Sequence, residues 1–208
     1  AAYDAAMQAL VFDPLEMTST TFDFTKAQRG NHAFPHGQDI DGNTVPSSMD
    51  LNYSAIPTRP DGGAWSNVND MLRYVQMELE EGLLPDGNRY IGEAPLLVRR
   101  VQQVATGNDT GYGMGLKLDR SMGTPLVQHG GVASGYISNM MWLPEHDVGA
   151  VILTNADAGG SAIRYLFRRY WLELLFDGSA EAVANTSVEA NRMQEDFLAK
   201  RNRLTVPA

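Results

Sequence analysis

Gln128-His129-Gly130-Gly131-Val132-Ala133-Ser134-Gly135-Tyr136 closes one short strand and runs straight into the next. The first strand reads as Leu126–His129 and the second as Gly135–Leu143. Gly113–Leu118 precedes them and Val148–Asn155 follows, each run bounded by turn residues. Connections this short cannot hold crossover helices, so the four runs predict an antiparallel meander. Residues Gly149–Thr154 are apolar on both faces, the pattern of a strand interior to a sheet. An amphipathic helix follows at about Ser161–Phe176, and the class is therefore α+β, an antiparallel sheet with helices on its faces. The paired glycines allow a substrate or another backbone to approach where a Cβ would clash.

Upstream of the meander the periodicity is helical. Tyr3, Met7, Leu10 and Val11 recur at helix spacing until Pro14 stops them. The chain thus opens in mid-element, and Ala1 is expected to fall inside a domain. Residues 13–63 are rich in Pro, Gly, Asn and Asp and read as loop. Ser66 is the expected N-cap of a helix that Asp70 supports through the helix dipole. Its apolar face is Val68, Met71, Leu72, Val75 and Leu79, and Gly82 ends it. A shorter helix is expected at Ala94–Val104. Beyond the closing helix, 177–208 is a polar tail, helical around Val188–Leu204.

Composition narrows the function classes. The chain has 208 residues, 43% of them hydrophobic, with 16 Lys+Arg against 25 Asp+Glu for a net charge of −9. That balance offers no basic patch for nucleic acid or an anionic membrane surface. Cysteine is absent, so disulfides, thiol catalysis and Cys-ligated zinc are excluded. No apolar run reaches the roughly 18 residues that span a bilayer, and the N-terminus shows no signal-peptide pattern.

Five pieces of sequence, in order over residues 1–176, resemble the serine β-lactamase and penicillin-binding-protein-like hydrolase family. Phe12-Asp13-Pro14-Leu15-Glu16-Met17 with Thr20-Thr21-Phe22 resembles its F-x-P-L-G-M-x-x-T-x-F segment, with Glu16 where the family has Gly. Gly62-Gly63-Ala64-Trp65-Ser66 leading to Asp70 resembles G-G-x-x-S-x-x-D, and Tyr112-Gly113-Met114-Gly115 resembles Y-G-x-G. His129-Gly130-Gly131 resembles the H-x-G variant of the third motif, K-T-G. Pro144 and Val151-Ile152-Leu153-Thr154-Asn155 fit the strands that follow.

The resemblance implies a β-lactamase/transpeptidase-like sandwich and an acyl-enzyme mechanism on β-lactams, short esters or D-amino-acid amides and peptides. His129 then takes the place of the K-T-G lysine, touching substrate or the proton network. Gly131 leaves room for the acyl group, Gly130 and Tyr112 belong with it to the substrate site, and the Val132 N–H is one of two oxyanion donors. The family's nucleophile and bases are missing. The lysines are Lys26, Lys117 and Lys200, preceded three residues earlier by Asp23, Met114 and Phe197, so no S-x-x-K exists. No tyrosine is followed two places on by Asn, and no G-x-S-x-G elbow occurs. In the family these elements precede the opening helix. The chain is accordingly expected to be the C-terminal portion of such an enzyme, inactive alone, with the N-terminal half as its partner.

No cofactor is expected. His32, His36 and His146 lack the H-E-x-x-H spacing of a zinc helix, and no metal site is expected. Trp65, Tyr112 and Trp142 are groove or core candidates, with core favoured for Trp142. Arg164, Arg168 and Arg169 read as a solvated helix face. Location is not fixed by the sequence, although the resemblance favours periplasm or secretion. Two other readings stay open: a catalytically inactive relative serving as a binding or regulatory module, and a free-standing domain that resembles the family only locally.

Overall fold

The computed structural model describes residues 2–204. Ala1, at the start of the expected 1–176 segment, and 205–208, at the end of the expected tail, lie outside the described residues. Helix α1 (Ala2–Met7) continues into a π-helical turn, Gln8–Phe12. The wider turn rotates Phe12 inward and leaves Leu10 exposed, a correction to the expected face. Phe12 packs with Leu15, Met17, Phe22, Met77 and Leu96.

The loop-rich stretch holds more structure than its composition implies. It contains α2 (Phe24–Gln28), capped by the Asp23 side chain. An antiparallel hairpin of β1 (His36–Gln38) and β2 (Thr44–Pro46) follows, then a 3-10 turn at Met49–Ala55.

Helix α3 (Val68–Leu79) lies where expected, but its cap is Asn67, whose side chain accepts the Asp70 N–H at 2.9 Å. Ser66 is instead paired with the Thr20 hydroxyl at 2.8 Å. The buried face is also turned: Asp70, Val75, Met77 and Glu78 are inside while Val68 and Leu72 are exposed. Two carboxylates can occupy that face because each finds hydrogen-bond partners there.

Helix α4 (Glu93–Leu97) and a 3-10 turn at Val98–Arg100 replace the longer helix expected to Val104. The Met114 N–H donates to Arg99 O and the Gln103 N–H to Tyr112 O, drawing the chain into the sheet instead.

The sheet comprises β3 (Val104–Ala105), β4 (Thr110–Tyr112), β5 (Lys117–Asp119), β6 (Leu126–Ala133), β7 (Tyr136–Leu143) and β8 (Val148–Thr154). Each strand neighbours the next in chain order. The expected strand Gly113–Leu118 is broken. Gly115 takes φ +70°, and the Gly113 N–H closes a turn on Leu116 O at 2.8 Å. Strand β6, by contrast, runs on through both glycines. Among the described residues β8 has β7 on one side and no strand on the other.

By their contacts the residues fall into two compact units. The first gathers the chain up to Asn31 with Thr58–Gly131 and Asn139–Leu153. Its second core joins Val75 of α3 to Leu116, Val127 and the fully buried Trp142. Gly149 makes that packing possible, since a Cβ there would stand 2.3 Å from Val75 Cγ1.

The other unit gathers His32–Pro57, Val132–Ser138 and the chain from Thr154 on. It holds α5 (Ala158–Leu175) and α6 (Glu181–Leu204), the latter longer than the helix expected from Val188. Ala162, Leu166, Leu172 and Ala182 are buried there. No helix among the described residues is long and apolar enough to cross a membrane.

Candidate functional site

Strand β6 carries the candidate residues, and its pairing with β5 decides their faces. Lys117 stands opposite Gln128, and Leu118 opposite Val127. Opposed residues share a face and successive ones alternate. Val127 and Leu118 therefore face the core with Trp142, while Gln128, Lys117 and Tyr112, which stands opposite Lys117 on β4, take the other face. His129 is the first residue of β6 beyond the pairing with β5, and its Nε2 lies 3.1 Å from the Tyr112 hydroxyl, with the rings edge-on. Tyr112 and His129 are thus brought together, as Gly130 and Gly131 are by continuity of the strand. Gly130 is half-buried and Gly131 exposed.

The His129 imidazole is half-buried and held below its ordinary range. Desolvation is the main cause and the Lys117 charge the second; a hydrogen bond to the Gly130 backbone and the Asp61 carboxylate work the other way.

In the second unit Val132 is 68% exposed. The turn after it is braced by polar side chains: Asn52 Nδ2 donates to Ser134 O at 3.1 Å, and the Gly135 N–H donates to Asp157 at 2.9 Å. The Tyr136 hydroxyl donates to Ala33 O at 2.6 Å. Neither Asn52 nor Asp157 stands out in the sequence, because their partners lie 82 and 22 residues away.

A buried charge cluster in the first unit also escaped the sequence reading. Glu78 is fully buried, pairing with Arg99 at 2.9 Å and Arg100 at 3.1 Å. It accepts the Tyr74 hydroxyl at 2.8 Å. Burial first, and the neighbouring Glu78 charge second, push Tyr74 up to about 12. The spacing Asp70, Tyr74, Glu78 was the available signal: three polar residues at i, i+4 along one side of α3.

The other candidates are dispersed. His32 lies against the Phe34 ring, His36 Nδ1 is 3.0 Å from Asn155 O, and His146 Nε2 is 3.1 Å from the Thr124 hydroxyl. Among the described residues no group of His, Asp and Glu could hold a metal ion. Trp65 packs edge-on against Phe24 and bridges to Thr21. Arg169 is not simply solvated, since it pairs with Glu173 at 2.8 Å and with Glu181.

Known proteins are similar to this chain in sequence and in fold. The Beta-lactamase family profile matches residues 1–174. Penicillin-binding protein 4 of Amycolatopsis lactamdurans is 29% identical over 180 residues, 83% of this chain and 46% of that protein. The octameric penicillin-binding protein homologue from Pyrococcus abyssi superposes with TM-score 0.71 at 23% identity, covering 86% of this chain and 39% of that one. A D-stereospecific amidohydrolase from Streptomyces sp. gives TM-score 0.57 at 19% identity, covering 74% and 44%. The chain spans about half the length of the curated relative it matches.

Proposed function

Since the chain belongs to the beta-lactamase family, a family of serine hydrolases, we propose that it supplies the third-motif wall of an enzyme working through an acyl-enzyme. The reaction is acyl transfer from a β-lactam, a short ester or a D-amino-acid amide or peptide. The observation that carries this reading is the pairing of His129 with Tyr112 on a strand that continues through Gly130 and Gly131 to the exposed Val132.

In this reading His129 belongs to the proton network, and Tyr112, Gly130 and Gly131 line the substrate. The Val132 N–H is one oxyanion donor, a group whose loss costs on the order of 3 kcal/mol of transition-state stabilisation. The 208 residues contain no Ser-x-x-Lys or Tyr-x-Asn. The nucleophile and bases then come from polypeptide outside them, the N-terminal half of the same enzyme. The names of the relatives, a penicillin-binding protein and a D-stereospecific amidohydrolase, support this choice of substrates.

The test has two arms. Residues 1–208 alone should leave a chromogenic cephalosporin and a p-nitrophenyl ester unhydrolysed, because donors without a nucleophile give little turnover. A polypeptide that also carries the upstream Ser-x-x-Lys should be acylated by one of them and release product. Turnover by the 208-residue chain that disappears with Ser134→Ala would overturn the assignment. Reversible binding without acylation by the longer polypeptide would overturn it in favour of a binding module.

A further inference from the structure

Strands β6 and β7 are joined by two residues, Ser134 and Gly135. Gly135 takes φ +81°, whereas Ser134 keeps a negative φ. A negative φ followed by a positive one at glycine is the pattern of a type II turn. Tight hairpins favour the primed turns, because the twist of types I and II splays the strands. Types I and II themselves differ by a half-rotation of the central peptide. Holding this hairpin in one form therefore means holding the Ser134–Gly135 peptide.

Two side chains from distant parts of the sequence do so. The carbonyl of that peptide accepts the Asn52 Nδ2–H at 3.1 Å, and its N–H donates to Asp157 Oδ1 at 2.9 Å. Both polar groups of one peptide are bound, on opposite edges, so rotating it breaks both bonds at once. Asn52 is buried within the 3-10 turn Met49–Ala55. Asp157 stands immediately before α5 and is itself tied down. Its N–H donates to His36 O at 3.0 Å, and its carbonyl accepts the Ser161 N–H at 3.0 Å. Glycine is required at 135 on a second count, since a Cβ there would stand 2.4 Å from Pro35 Cβ and 2.8 Å from His36 N.

The chain is exposed at Val132, Ala133 and Ser134 and buried only at Gly135. Exposed side chains give little packing with which to orient a backbone. The direction of the Val132 N–H is therefore set by the neighbouring strand β7 and by the turn peptide.

We propose that Asn52 and Asp157 are positioning residues that lock the Ser134–Gly135 peptide and so aim the Val132 N–H at the developing oxyanion. The oxyanion clause rests on the acyl-enzyme reading above; the peptide clamp does not. An oxyanion donor works over about 2.7–3.1 Å, so a loosened turn costs rate and not substrate binding.

The clamp is read by residue-resolved hydrogen exchange of the 208-residue chain. Asp157→Ala should speed exchange of the Gly135 amide about tenfold, the loss of one hydrogen bond to a charged group. Asn52→Ala should speed the same amide by a similar factor, although its own bond is to the Ser134 carbonyl, because either loss frees the peptide to turn. Asp157→Asn keeps an acceptor oxygen and should recover part of the protection. A Gly135 rate unchanged in Asn52→Ala would overturn the shared clamp. So would an acceleration that Asp157→Asn and Asp157→Ala share equally with the amides of α5.

The oxyanion clause is read in the acylating polypeptide, the one carrying the upstream Ser-x-x-Lys, by single-turnover acylation with a p-nitrophenyl ester. Each alanine variant should lower the saturating rate about tenfold, less than the outright loss of a donor. The half-saturating concentration should stay near that of wild type, and Asp157→Asn should restore part of the rate. An unchanged saturating rate, or a loss confined to the half-saturating concentration, would overturn the positioning role. Failure of the wild-type polypeptide to be acylated would overturn the acyl-enzyme reading and the oxyanion clause with it, while the exchange rates still decide the clamp.

Discussion

The hydroxyl of Thr20 donates to the carboxylate of Asp70 across 2.7 Å, although fifty residues separate them. The same carboxylate accepts the Ser19 N–H at 2.9 Å, and Ser66 pairs with Thr20. Thr21 and Trp65 form a backbone bridge alongside. Two stretches that resemble the family separately, one around Phe12–Phe22 and one around Gly62–Asp70, are therefore one physical unit. Thr20, Thr21 and Asp70 are buried, so each is bound to its partners by the cost of leaving a buried polar group unmade.

Removing one member of that unit should cost more than a surface hydroxyl would. Thr20→Val keeps the shape and leaves Asp70 short of a donor, for an expected loss of about 1–3 kcal/mol. Urea unfolding of the variant beside wild type measures it, with an unchanged midpoint as the contrary result.

Glu78 makes a sharper case. Glu78→Leu strands the half-buried Arg99 and the nearly buried Arg100 without their carboxylate, which should cost roughly 3–5 kcal/mol. The double variant Glu78→Leu/Arg100→Met should recover part of that loss. A single variant as stable as wild type would show that the pair carries no structural weight.

Glu16 occupies the left-handed region at φ 52°, the position at which the family has glycine. The turn is kept despite the side chain, helped by an exposed ion pair with Arg73 at 2.6 Å. Glu16→Gly relieves the Cβ clash, worth about 1 kcal/mol, against the few tenths of a surface ion pair. The variant should unfold at slightly higher temperature, and a lower Tm would contradict this account.

How much of this was legible beforehand follows from where the determinants lie. Strands β6, β7 and β8 and helix α5 announce themselves through local apolar pattern, which survives because their cores are apolar. The face of α3 does not, because Asp70 and Glu78 are buried only by virtue of Thr20, Arg99 and Arg100 elsewhere in the chain. Ser66 reads as a cap from its type alone, yet Thr20 claims it and Asn67 takes the position. The site follows the same division. The motif His129-Gly130-Gly131 is visible in sequence, whereas Asn52 and Asp157, which brace the turn beyond it, have no local signature.

The depressed His129 titration fixes a sign for pH. A base whose folded value is lowered contributes stability that is present above its unfolded value, about 6.5, and is lost as pH falls through the folded value. Wild type should therefore lose stability below about pH 6.5 relative to His129→Gln. In the acylating polypeptide the acid limb of kcat/KM should lie below that value and vanish in His129→Gln. Parallel pH curves for the two proteins would remove His129 from both roles.

The open side of β8 should be a pairing surface. Its residues are apolar on both faces and Leu153 is 37% exposed, with none of the charges that blunt natural edges. We expect a strand from polypeptide outside residues 1–208 to occupy that side, and the 208-residue chain alone to self-associate through it. Leu153→Lys should shift the chain toward monomer by size-exclusion chromatography with light scattering. A wild-type chain that is monomeric at every concentration would contradict the assignment.

Helix α6 is fastened differently from the rest of its unit. Ala182 is its one fully buried side chain among those described. Its first turn is tied by Glu173, which takes the Ala182 N–H, and by Arg169, which reaches Glu181. Gln194 meets Gln38 at 3.2 Å, and Arg201 meets Ile40 O and Asp41 at 2.8 and 3.0 Å. Such clasps are screened by salt where apolar burial is not. The helix is therefore a latch with its own release condition: at high ionic strength its amides should exchange quickly while those of α5 stay protected. A segment fastened in this way can be redrawn by mutation, or lent to another surface, without disturbing the core beneath it.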